Sequence, residues 1–208
     1  LAAYQNEFQD ILLESGAVPL LLDLINGHED IAWQAAGALR NIVIKDDRVH
    51  QAIIDSAGLS KYKQALSLDS KLSERVIGLI TQTFLIISTN DAIKDAVRDQ
   101  NMFPILFDRL KQLDTPIEFR SRILFSLTNL CTKNQKNQEQ CRKEGGIQLL
   151  LSMINSEKTP ESLRSDASTT LWACTNKNQE NINILCEDEN FAILQQSLVM
   201  ETEKVLVG

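Results

Sequence analysis

The side chains best suited to chemistry in this sequence are four cysteines, Cys131, Cys141, Cys174 and Cys186, and two histidines, His28 and His50. Metal sites made of such residues use close pairs such as C-x-x-C with histidines at set spacings, because the ligands must converge on one ion. No such pair is present, so a structural zinc site is not expected. The cysteines read instead as small apolar fillers in a reducing compartment, with disulfides as the lesser alternative. Catalysis has no better foundation. There is no G-x-S-x-G, no H-E-x-x-H and no phosphate-binding glycine loop, and neither histidine falls in a pattern with a serine or cysteine nucleophile. Asp46 and Asp47 are neighbours in a turn, which does not set two carboxylates across a substrate. The sequence therefore predicts no enzyme, no cofactor, and no catalytic or metal-ligating residue.

Composition then narrows the partner. A net charge of -7 argues against nucleic acid, whose phosphates call for clustered Lys and Arg, and makes a basic peptide the better-matched ligand. No apolar run reaches the roughly 18 to 20 residues needed to span a bilayer, so no membrane segment is expected. The chain reads as soluble and cytoplasmic, with the cytoskeleton and the nucleus as alternatives, and nothing points to a small-molecule substrate. Aromatics are only 5% of residues while the hydrophobic 43% is mostly Leu, Ile, Val and Ala, which favours an all-α protein packed by aliphatic ridges.

The elements that would position binding residues are set by a long internal period. Gly16, Ala57, Asn101, Gly145 and Glu189 head similar phrases, "GAVPLLLDLI", "AGLSKYKQAL", "NMFPILFDRL", "GGIQLLLSMI" and "ENFAILQQSL", at steps of 41, 44, 44 and 44 residues. "TPIEFRS" from Thr115 and "TPESLRS" from Thr159 repeat the 44-residue step independently. Leu39, Leu127 and Leu171 share one position, and Ile42, Leu130 and Cys174 share the position three further on. Each unit reads as a short helix, a second helix such as "VPLLLDLI", and a longer third helix such as "DIAWQAAGALRNIVI", with apolar residues three and four apart. Thr115 with Glu118 has the spacing of a capping box, with Pro116 in the first turn. Phosphorylation of the Thr-Pro pairs is the lesser alternative. The "TKNQKNQEQ" and "TNKNQENIN" stretches coincide with repeat junctions and read as turns and short helices.

A unit of this length, with "GAVPLLLDLI" on one helix and "AAGALRNI" or "LFSLTNLC" on the next, closely resembles the armadillo repeat. The resemblance covers essentially the whole chain; it is strongest in the units from Gly16 and Gly145, good in the third and weakest in the second. It implies an armadillo-type α-solenoid, a right-handed superhelix of three-helix repeats. Residues 1–208 form one solenoid segment, with a partial repeat at 1–15, repeats at 16–56, 57–100, 101–144 and 145–188, and a partial repeat at 189–208. Beginning and ending inside repeats, it is expected to belong to a longer solenoid or to have its ends covered by other protein.

The resemblance also implies where a partner would sit. In armadillo proteins the third helices line a concave face, an asparagine on the third helix hydrogen-bonds the main chain of a bound peptide, and nuclear-import members add a tryptophan one turn earlier. Asn41 and Asn129 match that asparagine, 88 residues apart; Ala173 stands in the fourth unit, and Leu85 or Ile86 in the second. Gly37, Phe125 and Thr169 occupy the tryptophan position, so the import pattern is absent in register, and Trp172 with Asn176 imitates it three residues late. Trp33, Phe125 and Trp172 are candidate apolar anchors. For both tryptophans, packing between repeats is the equal alternative; Phe125, four residues before Asn129 on one helical face, favours the groove. Arg40 joins Lys45 and Arg48 in one basic cluster, and Lys133, Lys136, Arg142 and Lys143 form another; both read as solvated edges, with an acidic partner as the sharper alternative.

The expected function is a non-catalytic scaffold or adaptor that binds an extended segment of a partner protein along the concave groove, through Asn41, Asn129, Phe125, Trp33, Trp172 and Arg40. The alternative is a structural subunit of a cytoskeletal or ciliary assembly that contacts neighbouring subunits through its edges and ends. A nuclear-import adaptor or a small-GTPase regulator is less favoured.

Overall fold

A computed structural model describes residues 10–44, 46–187 and 189–192, which are helical with short connections and contain no strand. Lys45, residues 1–9 of the first partial repeat and residues 193–208 of the last lie outside the described residues. The helices are α1 (Ala17–Leu24), α2 (Glu29–Ile42), α3 (Asp47–Asp55), α4 (Gly58–Leu66), α5 (Glu74–Ile87), α6 (Asp91–Asp99), α7 (Phe103–Lys111), α8 (Ile117–Cys131), α9 (Gln135–Lys143), α10 (Gly146–Asn155), α11 (Glu161–Thr175) and α12 (Gln179–Leu185). The chain divides into two compact units, Leu1–Ser126 and Leu127–Gly208.

Within the first unit, helices pack on their own kind one repeat away: second helices α1 on α4 and α4 on α7, first helix α3 on α6, and third helix α2 on α5. In the second unit α9 packs on α12, while α10, α9 and α12 all pack against α11. Stacking of like on like is what a repeat does when it cannot bury its apolar face alone. The stripe that drives it is Ala32, Ala36 and Leu39 on α2 with Val43 at its C-cap, matched 44 residues on by Val76, Ile80, Thr83 and Ile87 on α5, all buried. Leu127 and Leu171 are buried in the same column as Leu39. This register places Leu85, not Ile86, opposite Asn41.

Two backbone devices repeat with the period. The chain turns from first to second helix through a left-handed residue, Gly16 (φ 68°), Ala57 (φ 53°), Asn101 (φ 49°) and Gly145 (φ 75°). The heading residue of each phrase is therefore the turn itself. Glu189 departs from this column: α12 ends at Leu185 and residues 189–192 are already helical. The 41-residue first step has a local cause, a link from α1 to α2 shorter than the one from α4 to α5.

The second device starts each first helix. Asp46, Asn90, Asn134 and Asn178, spaced 44 apart, are N-caps whose side-chain oxygens accept from the backbone N–H groups of Arg48 (2.9 Å), Ile93 (3.2 Å), Asn137 (3.1 Å) and Asn181 (3.1 Å). Each such cap contributes about 1 kcal/mol. The capping box expected at Thr115 is not how the third helices begin. The carbonyl of Pro116 accepts from the N–H groups of Phe119 and Arg120, and at the second copy Pro160 is the N-cap without a side-chain bond. The helix starts one residue later than the box requires. Thr115 and Thr159 are themselves buried, so their hydroxyls are not presented for modification.

Adjacent residues at the α3–α4 turn have opposite demands. Ala57 carries a Cβ in the left-handed region, which costs a non-glycine residue about 1 kcal/mol or more. A Cβ on Gly58 would lie 2.7 Å from both the Ile53 carbonyl oxygen and Leu22 Cδ1. Ala57→Gly should therefore raise the urea midpoint and Gly58→Ala should lower it, the latter by about 1 to 3 kcal/mol. Shifts of the same sign would show this turn to be built differently.

Candidate functional site

The buried stripe of each third helix leaves the opposite face free to carry other side chains. On α2 that face holds Trp33, Gly37, Arg40 and Asn41, which with Leu79 of α5 line one shallow depression. Trp33 is 39% exposed. It is covered on one side by Arg75, whose guanidinium carbon lies 5.3 Å from the ring centroid, a cation–π arrangement. Arg75 is held there by Glu29 (2.6 Å) and Asp30 (2.7 Å), and Ser73 donates its hydroxyl to the same Glu29. Hydrogen bonds from Ser73 and Arg75 keep the Glu29 carboxyl below its ordinary range. Asn41 is exposed, but its side-chain oxygen accepts from Arg40 Nη2 at 2.9 Å, which leaves the amide N–H groups as its outward-facing donors.

The next third helix does not continue this surface. Its counterparts to Trp33 and Gly37 are Ile77 and Thr81, both buried. A Cβ on Gly78 would lie 3.0 Å from the Phe119 ring, and Arg122 donates to the Gly78 carbonyl (3.0 Å) while lying over Phe119. Leu85 cannot replace the amide of Asn41. Phe125 is 42% exposed and Asn129 half-buried, one turn apart on α8. On α11, Trp172 is 60% exposed whereas Ala173 is buried, its carbonyl taken by Gln138 Nε2 at 2.9 Å. No asparagine could stand at 173 and reach solvent. The structure thus brings Trp33, Arg40 and Asn41 together, and sets Phe125, Asn129 and Trp172 on later third helices. All three aromatics are substantially exposed, so packing between repeats does not consume them.

Three members of the basic clusters are paired locally. Arg48 bonds Asp46 and Asp10, Arg142 bonds Glu180 (2.6 Å) and Lys143 bonds Glu139 (2.7 Å).

Two groupings escaped the sequence reading. Asp30, Glu74 and Glu118 recur every 44 residues in the first turn of α2, α5 and α8, all exposed, with Glu161 in the first turn of α11. They complement the positive ends of those helices. The period alone would have found them. The second is a trio of thiols in the second unit: Cys131, Cys141 and Cys174 are buried, unbridged, and have their sulfurs within 4.8 Å of one another. Cys131 and Cys174 are 43 residues apart, nearly one repeat, which is the signal that they share a level of the stack. Hydrogen bonding within the trio, and then burial, holds Cys131 and Cys174 well above the ordinary thiol range.

Helices that stack like on like from one repeat to the next define an α-solenoid. Residues 5–44 match the family model for the Armadillo/beta-catenin-like repeat. A designed armadillo repeat protein in complex with the peptide (KR)4 superposes with a TM-score of 0.77 at 20% identity, over 92% of this chain and 78% of that one. Computationally designed armadillo repeat proteins for modular peptide recognition give a TM-score of 0.76 at 20% identity, over 91% and 78%. No curated protein matches the chain. The chain has the fold of an armadillo-type α-solenoid.

The contact between Arg75 and Trp33 has a direct spectroscopic consequence. In a Trp172→Phe background, Arg75→Ala should shift Trp33 emission to the red and raise its quenching by acrylamide, with little change in melting temperature because the ion pairs are exposed. Unchanged quenching would mean that Arg75 does not cover the ring.

Proposed function

We propose that this chain is a non-catalytic protein-binding scaffold that holds an extended, basic segment of a partner protein against the exposed faces of its third helices. The observation that carries the reading is the exposure of Trp33, Phe125 and Trp172 on α2, α8 and α11, while the leucines of the same helices are buried. Large aromatics are the residues that dominate interface energy, and a folded chain has no packing reason to leave three of them out. Asn41 supplies amide donors for an extended main chain, each bond contributing about 0.5 to 1.5 kcal/mol. The exposed acids at the third-helix N-termini, with the net charge of -7, set the sign of the partner. That similar designed proteins are described with the peptide (KR)4 and for peptide recognition supports the same reading. Because Ile77 and Thr81 interrupt the surface, binding would concentrate at the aromatic positions instead of running evenly.

A second reading, a structural subunit contacting neighbours through its edges, draws on Leu20 and Leu113, which are 60% and 68% exposed near the second helices.

The two tryptophans are the only ones in the chain and both lie on third helices, so each reports on the exposed face of its own helix. Titrating Trp172→Phe and Trp33→Phe with the peptide (KR)4 should change the emission of at least one variant. Removing the remaining tryptophan by alanine should cost about 2 kcal/mol of affinity or more. Binding seen by calorimetry with neither tryptophan responding would favour the edge reading, and no binding at millimolar peptide would remove the basic-segment reading.

A further inference from the structure

We propose that Cys131, Cys141 and Cys174 form a three-coordinate site for a soft monovalent metal ion, Cu(I). The three thiols come from the end of α8, the last turn of α9 and the end of α11, and all are buried. The Cys141 and Cys174 sulfurs are 3.4 Å apart, and all three lie within 4.8 Å of one another. A metal–sulfur bond of about 2.3 Å places the sulfurs of a trigonal site about 4 Å apart, a value the observed spacing brackets.

The frame around the sulfurs is fixed by side chains that bond to main-chain groups. Gln138 Nε2 donates to the carbonyls of Ala173 (2.9 Å) and Asn176 (3.1 Å). Asn181 Nδ2 donates to those of Cys174 (2.7 Å) and Gln138 (3.1 Å), and Asn137 Nδ2 to that of Leu130 (2.9 Å). Ligands on packed helices tied in this way hold their geometry better than ligands on loops.

The donor set selects the ion. A closed zinc site takes four ligands, and among the described residues no fourth cysteine, histidine or carboxylate joins the group. Thiolates without oxygen or nitrogen partners favour soft ions, and Cu(I) is satisfied by three of them. Coordination changes no oxidation state: copper enters and remains as Cu(I), and each sulfur that becomes a thiolate ligand releases its proton to solvent.

The test uses the full chain, reduced and kept anaerobic, titrated with Cu(I) against a chromogenic copper chelator. The proposal expects a near-ultraviolet sulfur-to-copper band that saturates at about one equivalent and a rise in melting temperature, both retained in Cys186→Ser. Cys141→Ser and Cys174→Ser, checked for helicity by circular dichroism, should lose the band. Should they fail to fold, the response of the parent and of Cys186→Ser still decides. No band in the parent, a band that disappears with Cys186→Ser, or a tetrahedral cobalt(II) spectrum showing a four-coordinate site would each overturn it.

Discussion

Every repeat in this chain depends on the junction where a third helix ends and the next first helix begins. A helix leaves its last carbonyls and first N–H groups without partners, and inside a stack of helices water cannot supply them. Side chains of the first helix meet both needs. His50 Nε2 lies 2.8 Å from the Val43 carbonyl, Asn137 reaches that of Leu130, and Asn181 those of Cys174 and Gln138. The caps add a link between repeats: Asn90 Nδ2 donates to Asp47 (2.9 Å), and Asn178 Nδ2 to Gln138 (3.2 Å). One asparagine thus starts its own helix with its oxygen and ties it to the preceding repeat with its nitrogen. Asp46, at the first of these positions, has no amide nitrogen to give and pairs with Arg48 instead. That pairing holds its carboxyl below the ordinary range.

With first and third helices joined in this way, the rotation of each third helix is fixed, and so is what it shows to solvent. On α2 the result is a depression with an aromatic, an amide and a guanidinium. On α5 the same positions, Ile77 and Thr81, are buried, and Phe119 and Arg122 pack against Gly78 beside them. On α11 position 173 is buried, with its carbonyl bonded to Gln138, and Trp172 is outside. The surface is uneven because the packing beneath it is uneven, and a partner would meet separate anchoring points.

The scaffold was legible in the sequence because it rests on repetition. Buried leucines at Leu39, Leu127 and Leu171, and the phrase heads at Gly16, Ala57, Asn101 and Gly145, follow from a period that counting reveals. The exposed side chains of the third helices were legible only in part. Asn41, Trp33 and Phe125 were found by register, but whether Trp172 faced solvent depended on the rotation of α11, which no period encodes. The meeting of three buried cysteines was missed for a related reason. Metal-site patterns look for ligands close in sequence, whereas a solenoid brings together residues one repeat apart, so Cys131 and Cys174 meet across 43 residues. The "TKNQKNQEQ" stretch was placed correctly at a junction, but nothing in it signalled that Asn137 and Gln138 are buried.

The central claim is that junction asparagines hold the stack whereas Asn41, exposed on its third helix, adds little to it. It is tested most directly by comparing Asn181→Ala with Asn41→Ala in equilibrium unfolding. Asn181 is buried and serves two carbonyls, so its loss should cost about 2 to 3 kcal/mol. Asn41 is exposed and bonds only its neighbour Arg40, so its loss should cost about 0.5 kcal/mol or less. Equal costs, or a larger one for Asn41, would contradict the account.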